Sequence, residues 1–230
     1  MRFTYLLVDF FSAIVPFLFS FHPKIKFTRY FRSYFTANLI SAFCFLAWDI
    51  IFTAKGVWGF NDKYILGYTI LNLPIEECLF FFCIPFACTF TYYCLTLFYQ
   101  IKWKPLTENI FIIFLSVVLF VMGIINFHRS YTAVTFISTS VLLIACRFIF
   151  RVKWMDKFFT IYPVLLIPFF VVNGILTGTG IREPIVWYNN EENLGMRLLT
   201  IPVEDIFYGM ELMLLTILLY EYFKSNVGKK

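Results

Sequence analysis

Two short acidic motifs, Pro74-Ile75-Glu76-Glu77 and Pro202-Val203-Glu204-Asp205, carry the side chains best suited to chemistry. Carboxyl groups brought together in an apolar site split in proton affinity, because desolvation and mutual repulsion favour one protonated and one ionised member. Such a pair supplies an acid and a base at once. It can protonate a carbon-carbon double bond and later remove a proton from a neighbouring carbon, with no net redox change. The intervening cation is destroyed by water, so the site must be dry and lined by weakly nucleophilic groups. Aromatic ring faces meet that need and stabilise positive charge. Trp48, Trp58, Trp187, Tyr92, Tyr188 and Tyr208 are the candidates near the motifs, whereas most of the 32 phenylalanines serve lipid contact and packing.

A plainer account makes the acids partners of helix dipoles, worth roughly 0.3 to 1 kcal/mol each. One pair would fit that account. Two pairs, each preceded by proline and each with an aromatic residue four positions after its first acid (Phe80, Tyr208), fit it less well. Neighbouring helix positions diverge by ~100°, so one member of each pair is expected to face the bundle centre. Glu204, Tyr208 and Glu211 share a face at helical spacing.

The elements that must position these acids are membrane helices. The chain of 230 residues is 60% hydrophobic and only 14% charged, against the roughly one quarter charged that a water-soluble surface needs. Runs long enough to cross a ~30 Å hydrocarbon core predict seven spans at about 3 to 21, 33 to 54, 73 to 99, 109 to 127, 132 to 150, 158 to 176 and 198 to 222. The expected fold is all-α and polytopic. The first run has a weak positive end and no small-residue cleavage site, so it reads as a retained helix.

Asp9, early in span one, and Asp49 and Asn173, late in spans two and six, fall toward the same end as the motifs. An ionisable group in a bilayer costs roughly 2.5 to 3.5 kcal/mol, so intramembrane carboxyls are usually functional or paired. Basic residues sort by side: Lys24, Lys26, Arg29, Arg32, Lys102, Lys104, Arg147, Arg151, Lys153, Lys157, Lys224, Lys229 and Lys230 on one, Arg2, Lys55, Lys63, Arg129, Arg182 and Arg197 on the other. The positive-inside rule then predicts a cell-membrane protein with its amino terminus outside and its carboxyl terminus cytoplasmic. These charges record topology rather than nucleic-acid binding.

Other chemistries lack their motifs. There is no dinucleotide fingerprint, no phosphate loop, no aspartate-rich diphosphate motif, and two histidines, His22 and His128, do not make a polyhistidine iron site. The six cysteines lie in apolar segments without zinc-type spacing, so neither a disulfide framework nor a metal site is expected. No cofactor is called for.

The chain repeats itself. Trp48-Asp49 through Thr53, Gly56, Trp58, Asn61 and Leu71-Asn72-Leu73 to the first motif matches Asn173 through Thr177, Gly180, Trp187, Asn189 and Leu199-Thr200-Ile201 to the second. Spans one to three and five to seven form two units, and span four connects them. An odd connector makes the units parallel, so both motifs reach the same end. The expected division is a first unit at 1 to 105 and a connector plus second unit at 106 to 230.

Paired Pro-x-Glu-Glu and Pro-x-Glu-Asp motifs on aromatic helices resemble the small-membrane-protein family of lycopene cyclases, in the form that fuses two short subunits into one chain. Ile185-Val186-Trp187-Tyr188-Asn189, Gly195-Met196-Arg197 and Thr200 to Gly209 are its most specific part. The resemblance implies conversion of the psi-end groups of lycopene, or of a related carotenoid, to beta-ionone rings, giving gamma- and then beta-carotene. It implies acid and base roles among Glu76, Glu77, Glu204 and Asp205, with Asp49, Asn173 and Arg197 orienting them and Asp9, Trp48, Trp58, Asn72, Trp187, Tyr188 and Tyr208 near the substrate. Glu76→Gln or Glu204→Gln is expected to abolish turnover. Membrane lipid is the other expected partner. A carotenoid hydratase, a cyclase of longer carotenoids and a proton-coupled transporter of an apolar metabolite are the rival readings, with a non-catalytic subunit behind them.

Overall fold

Proline and glycine set where the helices begin and end. A computed structural model describes residues 2–227, which leaves Met1 and the last three residues, Lys229 and Lys230 among them, outside the described residues. Helices α1 (Thr4–Phe19), α2 (Phe31–Ala54) and α3 (Ile75–Phe98) make the first repeat, and α5 (Ser130–Ile144), α6 (Met155–Thr177) and α7 (Val203–Val227) the second, with α4 (Pro105–Ile125) between them. Six helical segments are long and apolar enough to cross a membrane, and the protein is an integral membrane protein built from two parallel three-helix repeats.

Several boundaries differ from expectation. The first span is a 16-residue helix, ~24 Å at 1.5 Å per residue, because the chain turns at Ser20 and re-enters through a 3-10 turn at Phe27–Tyr30. The fifth span ends in a π-helical turn at Ala145–Ile149. The seventh begins at Val203 rather than at 198, since the preceding residues form a hairpin, β5 (Arg197–Leu198) with β6 (Ile201–Pro202). The same hairpin occurs in the first repeat as β2 (Thr69–Ile70) with β3 (Leu73–Pro74). Leu71 and Leu199 hold left-handed φ values of 58° and 60° at the two turns, a conformation uncommon for such side chains. Each proline ends its hairpin and hands directly into its helix, where a missing N–H costs nothing.

Within each repeat the first helix lies along the third, α1 on α3 and α5 on α7. Across the repeats, α2 packs closely on α7, with Ala42 and Phe45 against Leu212 and the Thr216 hydroxyl donating to Ser41 Oγ at 2.9 Å. The symmetry-related seam, α3 with α6, is much looser. Helix α4 packs on α5, and Arg147 binds it by donating to Asn109 Oδ1 at 2.6 Å and pairing with Glu108 at 3.3 Å. Its other face presents Ile110, Phe114 and Val117 outward, as a lipid-facing surface requires.

Over one end of the bundle, β1 (Trp58–Phe60) of the first repeat pairs antiparallel with β4 (Val186–Tyr188) of the second, with Gly59 opposite Trp187. A methyl group at Gly59 would run into the Trp187 indole. Flanking bonds repeat in register: Asn61 N–H donates to Ile185 O and Asn189 N–H to Val57 O, both at 2.9 Å. The two repeats are thus clasped about a pseudo-twofold axis at this end.

Candidate active site

The divergence of adjacent helical positions sorts each acid pair. Glu76 and Glu204 turn back toward their own loops, where each accepts a backbone N–H at 2.7 Å, from Leu66 and Leu194 respectively. Thr132 on α5 adds a second bond to Glu204 at 2.6 Å. Both residues are fully buried. Glu77 and Asp205 turn the other way, into one shared cavity on the pseudo-twofold axis.

Each of these inward acids is held by a tyrosine from the first turn of its repeat. Tyr5 donates to Glu77, and Tyr131 donates to Asp205 Oδ1 at 2.5 Å. Asp205 takes two further bonds on Oδ2, from Asn173 Nδ2 at 2.8 Å and from Tyr188 OH at 3.0 Å. Tyr188 lies outside the spans, and burial pushes its hydroxyl well above the usual phenol range, with the Asp205 charge acting in the same direction. It stays a donor. Asp49, at the position matching Asn173, is buried and accepts from the Trp58 indole.

The cavity has a volume of about 250 Å³ and runs from this polar cap down between α3 and α6, along Ile84, Leu165, Phe169 and Met213. That is somewhat below the ~300 Å³ at which drug-sized pockets begin, and it suits one end of an extended apolar molecule. Three carboxyl residues line it, Asp49, Glu77 and Asp205, and no Lys, Arg or His is among the described lining residues. Without a counter-charge three carboxyls in one apolar pocket cannot all be ionised.

Aromatic rings form the rest of the cap. Tyr208 lies 5.1 Å from both Phe45 and Trp48 and 6.2 Å from both Trp58 and Tyr131, measured between ring centres. Trp58 in turn stands 5.1 Å from Tyr131 and 6.1 Å from Tyr188.

Other residues singled out by sequence lie outside the cavity lining. Arg197 is exposed, donates to Thr200 O and Asn190 Oδ1 at 2.8 Å each, and faces the Tyr188 ring at 5.8 Å; its charge acts on Asp205 through space. Asn72 donates to Ile50 O at 2.8 Å and ties the first hairpin to α2. Trp187 covers Gly59 from outside, and Tyr92 sits at the far end of α3, 6.4 Å from Trp154. Asp9 is buried on α1, one turn below Tyr5, with no partner for either oxygen. Glu211 does not share the cavity with Tyr208. It accepts from Ser138 and Thr139 on α5 at 2.8 and 3.1 Å.

Tyr5 and Tyr131 were not visible as site residues in the sequence. A signal existed: both open the first helix of a repeat, but the alignable part of the repeat begins only at the second helix.

The fold and cavity define a class of protein: a two-repeat membrane protein that encloses a carboxyl pair in an apolar, aromatic-capped pocket. The family described as Lycopene cyclase matches residues 2–95 and again 128–223, once per repeat. The chain belongs to the lycopene cyclase family, and its activity is that of a carotenoid cyclase. No curated protein and no solved structure matches it.

Proposed function

We propose that this chain closes the psi-end group of lycopene into a beta-ionone ring by acid/base catalysis through a carbocation, without redox change. The observation that carries this reading is that Glu77 and Asp205, equivalent residues of the two repeats, open on one apolar cavity with no cation among its described lining residues.

Their surroundings divide the labour. Asp205 accepts three hydrogen bonds, the complement of an ionised carboxylate, which can only accept; this makes it the base. Glu77, bonded only by Tyr5, is the acid. Its proton goes to C2 of the end group, where the C1-C2 double bond supplies the electron pair and leaves a cation at C1. The C5-C6 double bond then forms the C1-C6 bond and moves the charge to C5. Asp205 takes the C6 proton, and the freed pair restores the C5-C6 double bond. One proton enters and one leaves.

Trp58, Tyr131 and Tyr208 line the cap with ring faces that stabilise a cation without attacking it. Asp49 and Asn173 complete the two acid surroundings, Asn173 by direct donation to Asp205. Hydration instead of ring closure would need a water beside the cation, and the apolar wall of Ile84, Leu165 and Phe169 favours cyclisation. The loose α3/α6 seam, where this wall lies, suits entry of the polyene from lipid.

Expression in a lycopene-accumulating bacterium tests the reading. Beta-carotene formed with one deuterium per ring from heavy water supports it, and product heavier by one water supports a hydratase. Purified protein that cyclises lycopene without an ion gradient separates it from a transporter. The excess of Lys and Arg in one set of loops supports an orientation with the amino terminus outside and the carboxyl terminus in the cytoplasm.

A further inference from the structure

At the end of the bundle opposite the acids, four cations from three separate segments surround one hollow of about 450 Å³. Arg29 comes from the turn before α2, Lys153 and Lys157 from the start of α6, and Lys224 from the end of α7. The only carboxylate among the described lining residues is Glu221, already paired with Lys224 at 3.0 Å. The hollow therefore carries a surplus of positive charge that no carboxylate among the described lining residues offsets.

Lys224 is not a free surface lysine. Its ammonium stands 5.5, 5.8 and 5.2 Å from the ring centres of Tyr30, Tyr93 and Tyr220, and its side chain is 25% exposed. Ring faces and Glu221 together fix the charge in place, which lowers the entropy lost when an anion binds.

Depth decides which anion. Glu77 and Leu97 mark the two sites on α3, and the twenty helical steps from one to the other span roughly 30 Å. That equals the hydrocarbon thickness of a bilayer. With the acid cap at one interface, the basic hollow lies at the headgroup level of the other, walled by Trp154 and Tyr30, side chains that favour that level.

We infer that this hollow is a binding site for the phosphate of an anionic phospholipid headgroup, which bridges the first repeat at Arg29 to the second at Lys153, Lys157 and Lys224. Basic pockets between transmembrane helices bind such headgroups through their phosphates. The site is independent of the carotenoid chemistry.

The test is thermal unfolding of purified, delipidated protein in a zwitterionic detergent, titrated with phosphatidylglycerol, phosphatidylcholine or inorganic phosphate. Phosphatidylglycerol is expected to raise the melting temperature saturably and phosphatidylcholine not to. In Lys153→Gln/Lys157→Gln the half-saturating lipid concentration should rise at least tenfold, read against that variant's own lipid-free melting point. Lys102→Gln/Lys104→Gln, which removes two basic residues outside the hollow, should keep the wild-type response. Equal stabilisation by both lipids, an unchanged response in the first variant, or equal loss in the second would overturn the proposal. Full stabilisation by inorganic phosphate alone would replace the lipid with a soluble anion and overturn it too. Should the first variant fail to fold, Arg29→Gln is read in the same way.

Discussion

Tyr131 donates its hydroxyl to Asp205 at 2.5 Å from a helix 74 positions earlier in the chain, and Tyr5 stands in the same relation to Glu77 across 72. Each repeat thus brings its own tyrosine to its own inward acid. A hydrogen bond to a charged group is worth ~1.5 to 3 kcal/mol, so Tyr131→Phe should lower kcat by about 10- to 100-fold with KM little changed. Its pH profile should shift with it, and Tyr5→Phe should act on the opposite limb. A profile unaltered in both variants would make these tyrosines packing residues.

The two acids of each motif should part in mutagenesis. Glu77→Gln and Asp205→Asn remove the groups proposed to exchange the proton, and the expected loss is on the order of 10² to 10⁴, the usual range for general acid or base catalysis. Glu76→Gln keeps an oxygen to accept the Leu66 N–H, so it should retain cyclisation within about tenfold, the rate change equivalent to 1.4 kcal/mol. That differs from the loss expected when the motifs are read as sequence alone. Pigment analysis of the three single variants, with protein levels checked, decides between them.

Gly59 should tolerate no side chain while Trp187 is present, because the indole occupies the space a methyl group would take. Overpacking of this kind costs typically 1 to 3 kcal/mol. Gly59→Ala should therefore lower the melting temperature, and adding Trp187→Ala should recover part of the loss. A double variant no more stable than the single would show that the clash is not the cause.

An exposed clasp outside the membrane gives a pH signature. Lys63 and Glu183 join the α2–α3 loop of one repeat to the α6–α7 loop of the other at 2.7 Å. The hydrogen bond from Lys63, aided by Asn61, holds the Glu183 carboxyl below its usual range, and the bond to Glu183 raises the Lys63 ammonium. The lowered carboxyl contributes stability above its unfolded value and loses it as pH falls through its folded value. The raised ammonium contributes below its unfolded value and loses it as pH rises through its folded value. Glu183→Gln should thus melt slightly below wild type at neutral pH and low salt, and the gap should close in acid. High salt should close it as well, since both groups face solvent. A gap that persists in high salt would assign Glu183 another role.

Most of the scaffold was legible from its apolar runs, because a bilayer forces every backbone group in a span into helix. The parallel arrangement followed from Pro74 matching Pro202 and from a single connecting helix. Even the split of each acid pair followed from the helical turn, though not which member points inward. That choice is made by Leu66 and Leu194, whose N–H groups capture Glu76 and Glu204, and loop geometry of this kind leaves no periodic trace. The pairing of Trp58 with Tyr188 joins loops from different repeats and was equally hidden. The orienting role of Arg197 came from the family resemblance, and its hairpin sets its guanidinium against Thr200 O and Asn190 rather than in direct contact with an acid.

A dimer-like molecule with two cavities could hold both tips of a symmetric polyene together, but among the described residues the repeats meet around one chamber, which on the proposed roles of Glu77 and Asp205 holds one acid and one base. On that reading each pass finishes one terminus. The half-cyclised carotenoid must back out, turn end for end and come in again, so at limiting enzyme the monocyclic pigment should build up before the bicyclic one appears.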